Sequence, residues 1–275
     1  MFCLVIDFHS HIFTEEALKN APKGMFSRYE EVFHKKWEPT ILEKIVQDMD
    51  EAKVDKAVVV AIDAETTLNY KIPNEVVAEA VKKYPDRFIG FASVDPHKGV
   101  LAVKELEKAV KELGLKGLKL VPFMINVNLN DKILYPLYEK AQELDIPVLA
   151  HTGVMFDVGT RMKYCKPLDV DDVAVDFPDL KIVVAHFGWP WVDEAMAVCQ
   201  KNRNVYFDIA GWSPKYLPES VVRFMGGMLA DKALFATDYP LLPRKRVLNE
   251  FLALPIKEEA KKKILEENAK KLLKL

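Results

Sequence analysis

One repeated pattern constrains the fold more than any other. Short, nearly continuous apolar runs rich in Val, Ile, Phe and Ala recur about every 25 to 40 residues, each followed by a stretch of helical periodicity. Runs such as KAVVVAI and KIVVAH lack the in-and-out alternation of a half-exposed antiparallel sheet. Continuity of this kind is what a parallel strand buried on both faces requires. Strands are predicted at residues 4–12, 56–62, 88–94, 117–121, 147–151, 181–186, 205–209 and 233–237. Between them, residues 74–84 and 100–113 carry apolar positions three and four apart with Lys and Glu opposite, as outer helices do. Eight βα units on 275 residues fit an α/β chain folded as a single (β/α)8 TIM barrel over residues 1–275. An open doubly wound sheet is the rival, but no GxGxxG or GKT-type loop follows any predicted strand. Residues 14–39 form a long insertion after the first strand, and residues 154–169 a second long loop; connections of that length are commonly functional.

Charge and cysteine content narrow the partners. With 39 basic and 41 acidic side chains the net charge is −2, which supplies no field for nucleic acid or an anionic membrane. A small-molecule substrate is the expected partner. Cys3, Cys165 and Cys199 form an odd set with no close pair, so neither a disulfide framework nor a CxxC knuckle is indicated, and a cytoplasmic location is expected. The apolar opening MFCLVIDFHSHIF contains Asp7, His9 and His11 and lacks a basic leader, so it reads as a buried strand and not as a signal. No apolar run approaches the roughly 20 residues of a membrane span.

Polar residues at strand ends carry the chemistry. His9 and His11, two apart on a strand, point to one face. Alone, such a pair is more often hydrogen-bonded structure than metal ligand. Four other predicted strands, however, end in His151, His186, Asp208 and Asp238, residues that an apolar run would not otherwise tolerate. Carboxyl ends of barrel strands converge on one mouth. Any one of these residues can be a strand-terminal cap or a satisfied buried polar group; together they suggest a cluster.

The ordered motifs DFHSHIF, AHFGWP and TDYP, closing with ILEENAKKLL, resemble the amidohydrolase superfamily, and within it the branch of aminocarboxymuconate semialdehyde decarboxylase and related metal-dependent hydrolases. The resemblance covers nearly the whole chain. It implies His9, His11, His151 and Asp238 as ligands of one divalent metal ion and His186 as a catalytic histidine that need not bind metal. Zinc is the first expectation for that ion, with manganese, iron or cobalt as alternatives. Three imidazoles and one carboxylate leave a place for water, whose pKa a divalent ion can lower to about 7. Asp238 can bind metal, accept a proton, or do both in turn. Some superfamily members carboxylate a lysine to bridge two metals, and Lys119 in GLKGLKLVPF is compatible with that; in this branch it is more often structural or substrate-facing, so one metal is expected. The resemblance also allows a homodimer.

Substrate contacts are expected from Arg161, Trp189, Phe123 and Lys119. Arg28, Lys35 and Lys36 are further cations that can bind a carboxylate, Arg161 being suited to it by its bidentate fork. The family decarboxylase's arginines do not align with these loops. Trp37, Phe156 and Trp212 can add an apolar wall, while Trp191 reads as the start of a helix. Asp63 and Asp95 end the second and third strands; Asp95, before Pro96, reads as a helix cap. The first functional expectation is hydrolysis of an amide, ester or lactone by a metal-activated water. The second is nonoxidative decarboxylation of an aromatic or enol carboxylic acid, and the third a non-catalytic metal-binding barrel.

Overall fold

Parallel pairing orders the apolar runs into a closed ring in the computed structural model, which describes residues 4–275 and so leaves Cys3 outside the described residues. The strands are β1 (Ile6–Ser10), β2 (Lys56–Val60), β3 (Phe88–Phe91), β4 (Leu118–Leu120), β5 (Val148–Ala150), β6 (Ile182–Val184), β7 (Val205–Asp208) and β8 (Ala233–Leu234). β1 to β3 pair in order, as do β4 to β8. An Ala92–Leu118 bridge joins β3 to β4. The ring closes between β8 and β1 through Phe8 N–H to Phe235 O at 2.9 Å and Asp238 N–H to His9 O at 2.9 Å. This is the predicted (β/α)8 barrel.

The strands are shorter than the apolar runs because the last residues of each run leave the ladder to build the mouth. After β8, residues 235–238 turn toward β1 in place of continuing the sheet. The run at residues 56–62 divides: β2 stops at Val60, and Ile62–Ala64 pairs antiparallel with Tyr70–Ile72, a hairpin the apolar pattern does not foresee.

Eight helices follow the strands: α1 (Leu42–Ala52), α2 (Asn74–Lys83), α3 (Val100–Lys111), α4 (Tyr135–Glu143), α5 (Asp169–Asp176), α6 (Val192–Lys201), α7 (Glu219–Met225) and α8 (Arg244–Leu252). Trp191 immediately precedes α6, as expected. Asp95 caps its turn by accepting from His97 N–H at 3.0 Å. The insertion after β1 holds two short helices, Glu15–Leu18 and Ser27–Phe33. Among the described residues no helix is long and apolar enough to cross a membrane.

Alternate strand residues divide the core in two. Val58, Val60, Ile89, Phe91, Leu149, Val183 and Leu234 fill the barrel interior and meet Leu272 and Leu273 of the chain's last helix, which stops the barrel below. Their neighbours, including Val59, Phe88, Leu118, Val148, Ile182 and Phe207, pack under the outer helices. With its lower interior filled by side chains, the barrel keeps polar groups at the mouth.

β1 departs from strict alternation, and the departure matters. Its register against β2 slips between Asp7, opposite Ala57, and Ser10, opposite Val59. The extra residue is a β-bulge. Asp7 and Ser10 therefore both face the outer layer, while Phe8 and His9 are both free to face the interior. On the outer side the Asp7 carboxylate accepts from Thr237 N–H at 2.9 Å, Thr237 Oγ1 at 2.6 Å, Ser10 Oγ at 2.6 Å and Arg244 Nε at 3.0 Å. Arg244, from α8, also donates to Asp48 Oδ1 at 2.9 Å and Ser10 Oγ at 3.1 Å. Its guanidinium lies 3.7 Å from the Tyr239 ring centroid.

Asp7 and Arg244 are both 0% exposed. Removing one partner of a buried pair strands the other charge, a loss of about 3–5 kcal/mol. Arg244→Ala is therefore expected to lower the unfolding free energy by about that amount in denaturant titrations. A loss below about 1 kcal/mol, the range of exposed pairs, would show that the network does not hold the seam.

Candidate metal centre

The mouth brings together the residues that the strand ends suggest. Nε2 of His9, Nε2 of His11 and Oδ1 of Asp238 converge, with 3.8 Å between His9 and Asp238 and 3.1 Å between His11 and Asp238. These three side chains can offer ligand atoms that all lie within 4.8 Å of one another. The His186 ring lies 5.1 Å from that of His9 and 4.7 Å from that of His151. Three backbones at the mouth take the left-handed region: His186 at φ 58°, Asp238 at φ 59° and Gly211 at φ 75°. Such strain in non-glycine residues is held only where the surroundings over-determine it. A Cβ on Gly211 would sit 3.1 Å from His186 Nδ1 and 3.2 Å from Asp238 Oδ2, so a side chain here would crowd both groups as well as strain the backbone.

Hydrogen bonds assign the imidazole tautomers. Ala210 O can only accept, so His186 Nδ1, at 2.9 Å, carries the proton. With both rings neutral, His186 Nε2 then accepts from His151 Nδ1–H at 3.1 Å. That leaves His151 Nε2 with a bare lone pair, buried and without a hydrogen-bond partner. His9 follows the same logic: Asp208 Oδ2 takes its Nδ1–H at 3.1 Å, so Nε2 is bare apart from Lys119 Nζ at 2.9 Å. His11 differs: its Nε2 faces Asp238 Oδ1 at 3.1 Å, a contact that a bound cation would replace, while its Nδ1 is buried and unpartnered. Buried lone pairs without donors are rare, and bare imidazole nitrogens beside a carboxylate are the donor set of a divalent transition metal. His9, His11 and Asp238 thus offer a donor set for the ion that the sequence suggests, while His151 lines the same cavity without its nitrogens lying within 4.8 Å of all three. Asp208 stands behind His9 and also accepts from His186 N–H at 2.7 Å, so it aims two rings at once.

Titration favours the ligating forms. Burial, reinforced by the charge of Lys119, lowers His9 to about 4. Burial and then the neighbouring His186 and Lys119 hold His151 well below the ordinary value. For Asp238 burial alone would raise the carboxyl, but the hydrogen bond from His11, together with the surrounding imidazoles, holds it far below the usual range. Two neutral rings and one ionised carboxylate result. Burial also lowers Lys119, 1% exposed, to about 8.

A cavity of about 420 Å³ opens over these groups, of a size suited to a small organic ligand. Phe13, Phe26, Trp37, Phe123, Phe156 and Trp212 give it aromatic walls. Phe123 meets the His151 ring edge-on at 4.5 Å, and Lys119 also lines the space. The structure places two of the expected substrate contacts, Arg161 and Trp189, outside the cavity lining. Arg161 is exposed on the second loop and is not among the lining residues. Trp189 packs against Trp212 at 5.0 Å, behind the wall and not in it. Arg28 is engaged with Glu31 at 2.7 Å on the surface, Lys35 reaches Pro240 O, and Lys36 is exposed. Asp63 is held by Lys71 at 3.1 Å and Lys98 at 2.8 Å and does not reach the cavity.

Two lining residues have no sequence signal. Tyr29, from the insertion, donates to Asp157 Oδ2 on the second loop at 3.1 Å. Burial pushes the Asp157 carboxyl up to about 7, against the lowering effect of that hydrogen bond.

The amidohydrolase family model matches residues 6–275. Over 248 residues the chain is 27% identical to gamma-resorcylate decarboxylase from Polaromonas sp., spanning 74% of this chain and 75% of that relative. Among solved structures, an uncharacterized TIM-barrel protein from Bordetella bronchiseptica superposes with a TM-score of 0.84 at 29% identity over 98% of each chain. A dihydroxybenzoic acid decarboxylase from Polaromonas sp., with bound manganese and the inhibitor 2-nitroresorcinol, has the same fold, with a TM-score of 0.71 at 23% identity over 99% of this chain and 97% of that one.

Asp157 generates a pH dependence. An acid held above its ordinary value of 3.8 binds its proton more tightly in the folded state, so its contribution is fully present below about pH 4 and is lost as pH rises through about 7. Stability measured against Asp157→Asn should therefore fall by up to about 4 kcal/mol across that window, at 1.4 kcal/mol per pH unit. A pH-independent difference between the two proteins in denaturant unfolding would contradict the assignment.

Proposed function

Because the chain belongs to the amidohydrolase family, we propose that it is a metal-dependent, nonoxidative decarboxylase of a small aromatic or enol carboxylic acid. The observation that carries this reading is the match to a decarboxylase over three-quarters of that relative's length, combined with a ring-lined cavity that ends at the histidine and carboxylate cluster. It takes precedence over hydrolysis, for which only family membership speaks. The proposed metal is one divalent ion held by His9, His11, His151 and Asp238; manganese, bound in the decarboxylase structure, is as good a candidate as zinc.

A divalent ion there would supply positive charge for the substrate's carboxylate and adjoining hydroxyl oxygen. The chain's own groups do the rest. The aromatic walls hold the ring and exclude water from it. Asp238, ionised at rest, accepts the proton of the substrate hydroxyl and returns it to the ring carbon that bears the carboxylate. The bond between that carbon and the carboxyl carbon breaks, its electron pair stays on the ring carbon and forms the new C–H bond, and carbon dioxide leaves. The phenolate product then takes a proton from solvent, with no change of oxidation state requiring a further reagent. His186 has both nitrogens engaged, so its proposed role is to hold His151 in the ligating tautomer.

Metal-loaded protein incubated with hydroxybenzoates and with lactone and amide panels tests the reaction. Carbon dioxide release without transfer of labelled water oxygen is expected; labelled oxygen in a carboxylic acid product would establish hydrolysis instead. Asp238→Asn is expected to lose turnover by at least about a hundredfold, the scale of a general acid–base contribution. His186→Asn should weaken metal binding about 10- to 100-fold in competition with a chelator, as loss of a ligand's supporting hydrogen bond does. Undiminished metal affinity with lost turnover would place His186 in the proton chemistry.

A further inference from the structure

The cavity's charge is unevenly distributed. Its lining cations are Lys119, set against His9 at 2.9 Å, and Arg246, which already donates to Glu250 at 2.8 Å and Ser213 at 3.3 Å. Both are already hydrogen-bonded, Lys119 through its ammonium and Arg246 through Nε and one terminal nitrogen. Away from the histidines, the ionisable lining groups include Asp157, 7% exposed, and the Tyr29 hydroxyl bonded to it. A line of rings separates this pair from the metal ligands: His11 to Phe13 at 5.3 Å, Phe13 to Trp37 at 5.2 Å, and Trp37 to Tyr29 at 6.1 Å. The pair also joins the two long loops, because Tyr29 packs edge-on against Phe156 at 5.3 Å and Val158 N–H bonds Met25 O at 3.1 Å.

The chemistry of such a pair is one-sided. The Tyr29 proton is committed to Asp157, so what the two present to a ligand is acceptor capacity: the phenol's lone pairs and the carboxylate. We propose that Tyr29 and Asp157 select the substrate: they admit an aromatic monocarboxylic acid that offers a hydroxyl or amino hydrogen to the loops, and they turn away one that bears a second carboxylate there. This rests on the decarboxylase reading of the cavity. A donor meeting this pair replaces its water contacts with a charge-assisted bond, whereas a carboxylate would meet like charge in a confined apolar space.

The test is a calorimetric titration of the manganese-loaded full chain at about pH 8, where Asp157 is mostly ionised. The ligands are 2,4- and 2,5-dihydroxybenzoate, their fluoro counterparts, which lack the donor hydrogen, and their carboxy counterparts. For at least one of the two positions the hydroxy compound should bind about tenfold or more tighter than the fluoro compound, with the carboxy compound weaker still. Asp157→Leu should bring the hydroxy and fluoro affinities within about twofold of each other, as expected when the acceptor is lost. Asp157→Asn should keep the hydroxy preference and strengthen binding of the carboxy compound at least about fivefold by removing the like charge. If the leucine variant fails to fold, the asparagine result decides. Unchanged ratios in the variants, no discrimination by the unaltered protein, or no binding of any of the acids would overturn the proposal. Discrimination in binding without carbon dioxide release from any acid would remove the decarboxylase reading alone; carbon dioxide release without discrimination would remove the selectivity element alone.

Discussion

The buried pair of Asp7 and Arg244 is the constraint on which the site depends. It sits on the outer face of the seam where β1 meets β8, the one place where the first and last units of the barrel must find each other across the length of the chain. A bulge in β1 turns both Asp7 and Ser10 outward to meet the guanidinium, and so leaves His9 free to face inward beside Phe8. The same carboxylate holds Thr237, the residue before Asp238. One ionic network therefore fixes the barrel's closure and sets the position of His9 and Asp238 on either side of the seam. Its value lies in specification: a buried ion pair contributes little net stability, yet its geometry admits few alternatives.

Behind that seam, the groups hydrogen-bonded to the histidines determine what the rings can do. Asp208 and Ala210 O are fixed acceptors, and each dictates which nitrogen of its neighbouring ring keeps a proton. The bare lone pair of His151, and the Nε2 lone pair of His9 that Lys119 meets, follow from those acceptors and not from the histidines themselves. Fixed protein dipoles thus prepare the donor set, and burial keeps the rings neutral so that they are able to ligate.

Much of this was legible in the chain, for identifiable reasons. Strands buried on both faces must be continuously apolar, so β2 and β6 stand out as KAVVV and KIVV, and a polar residue at the end of such a run, like His151 or Asp238, has few innocent explanations. Strand ends were less legible because mouth residues keep the apolar composition of a strand after leaving the ladder, as Phe235 and Ala236 do. The bulge is invisible in DFHSH, since register belongs to a pair of strands and not to one. Arg244 sits among the charged residues of PRKR with nothing to mark it, and only packing shows that this one cation is fully buried. Asp157 in FDVGT reads as a turn; it becomes a buried carboxyl only when Tyr29, more than a hundred residues earlier, covers it. Arg161 shows the opposite case, a residue type suited to a carboxylate on a mouth loop whose side chain is exposed and off the cavity lining.

Everything proposed about the chemistry requires one ion among four side chains, with Lys119 unmodified beside them. Anomalous diffraction from crystals of the manganese-loaded protein tests this most directly. The account predicts a single peak within about 2.0–2.3 Å of the imidazole nitrogens of His9, His11 and His151 and of an Asp238 oxygen, the bond lengths such ligands make. Two peaks bridged by a carboxylated Lys119, or none at the mouth, would contradict it.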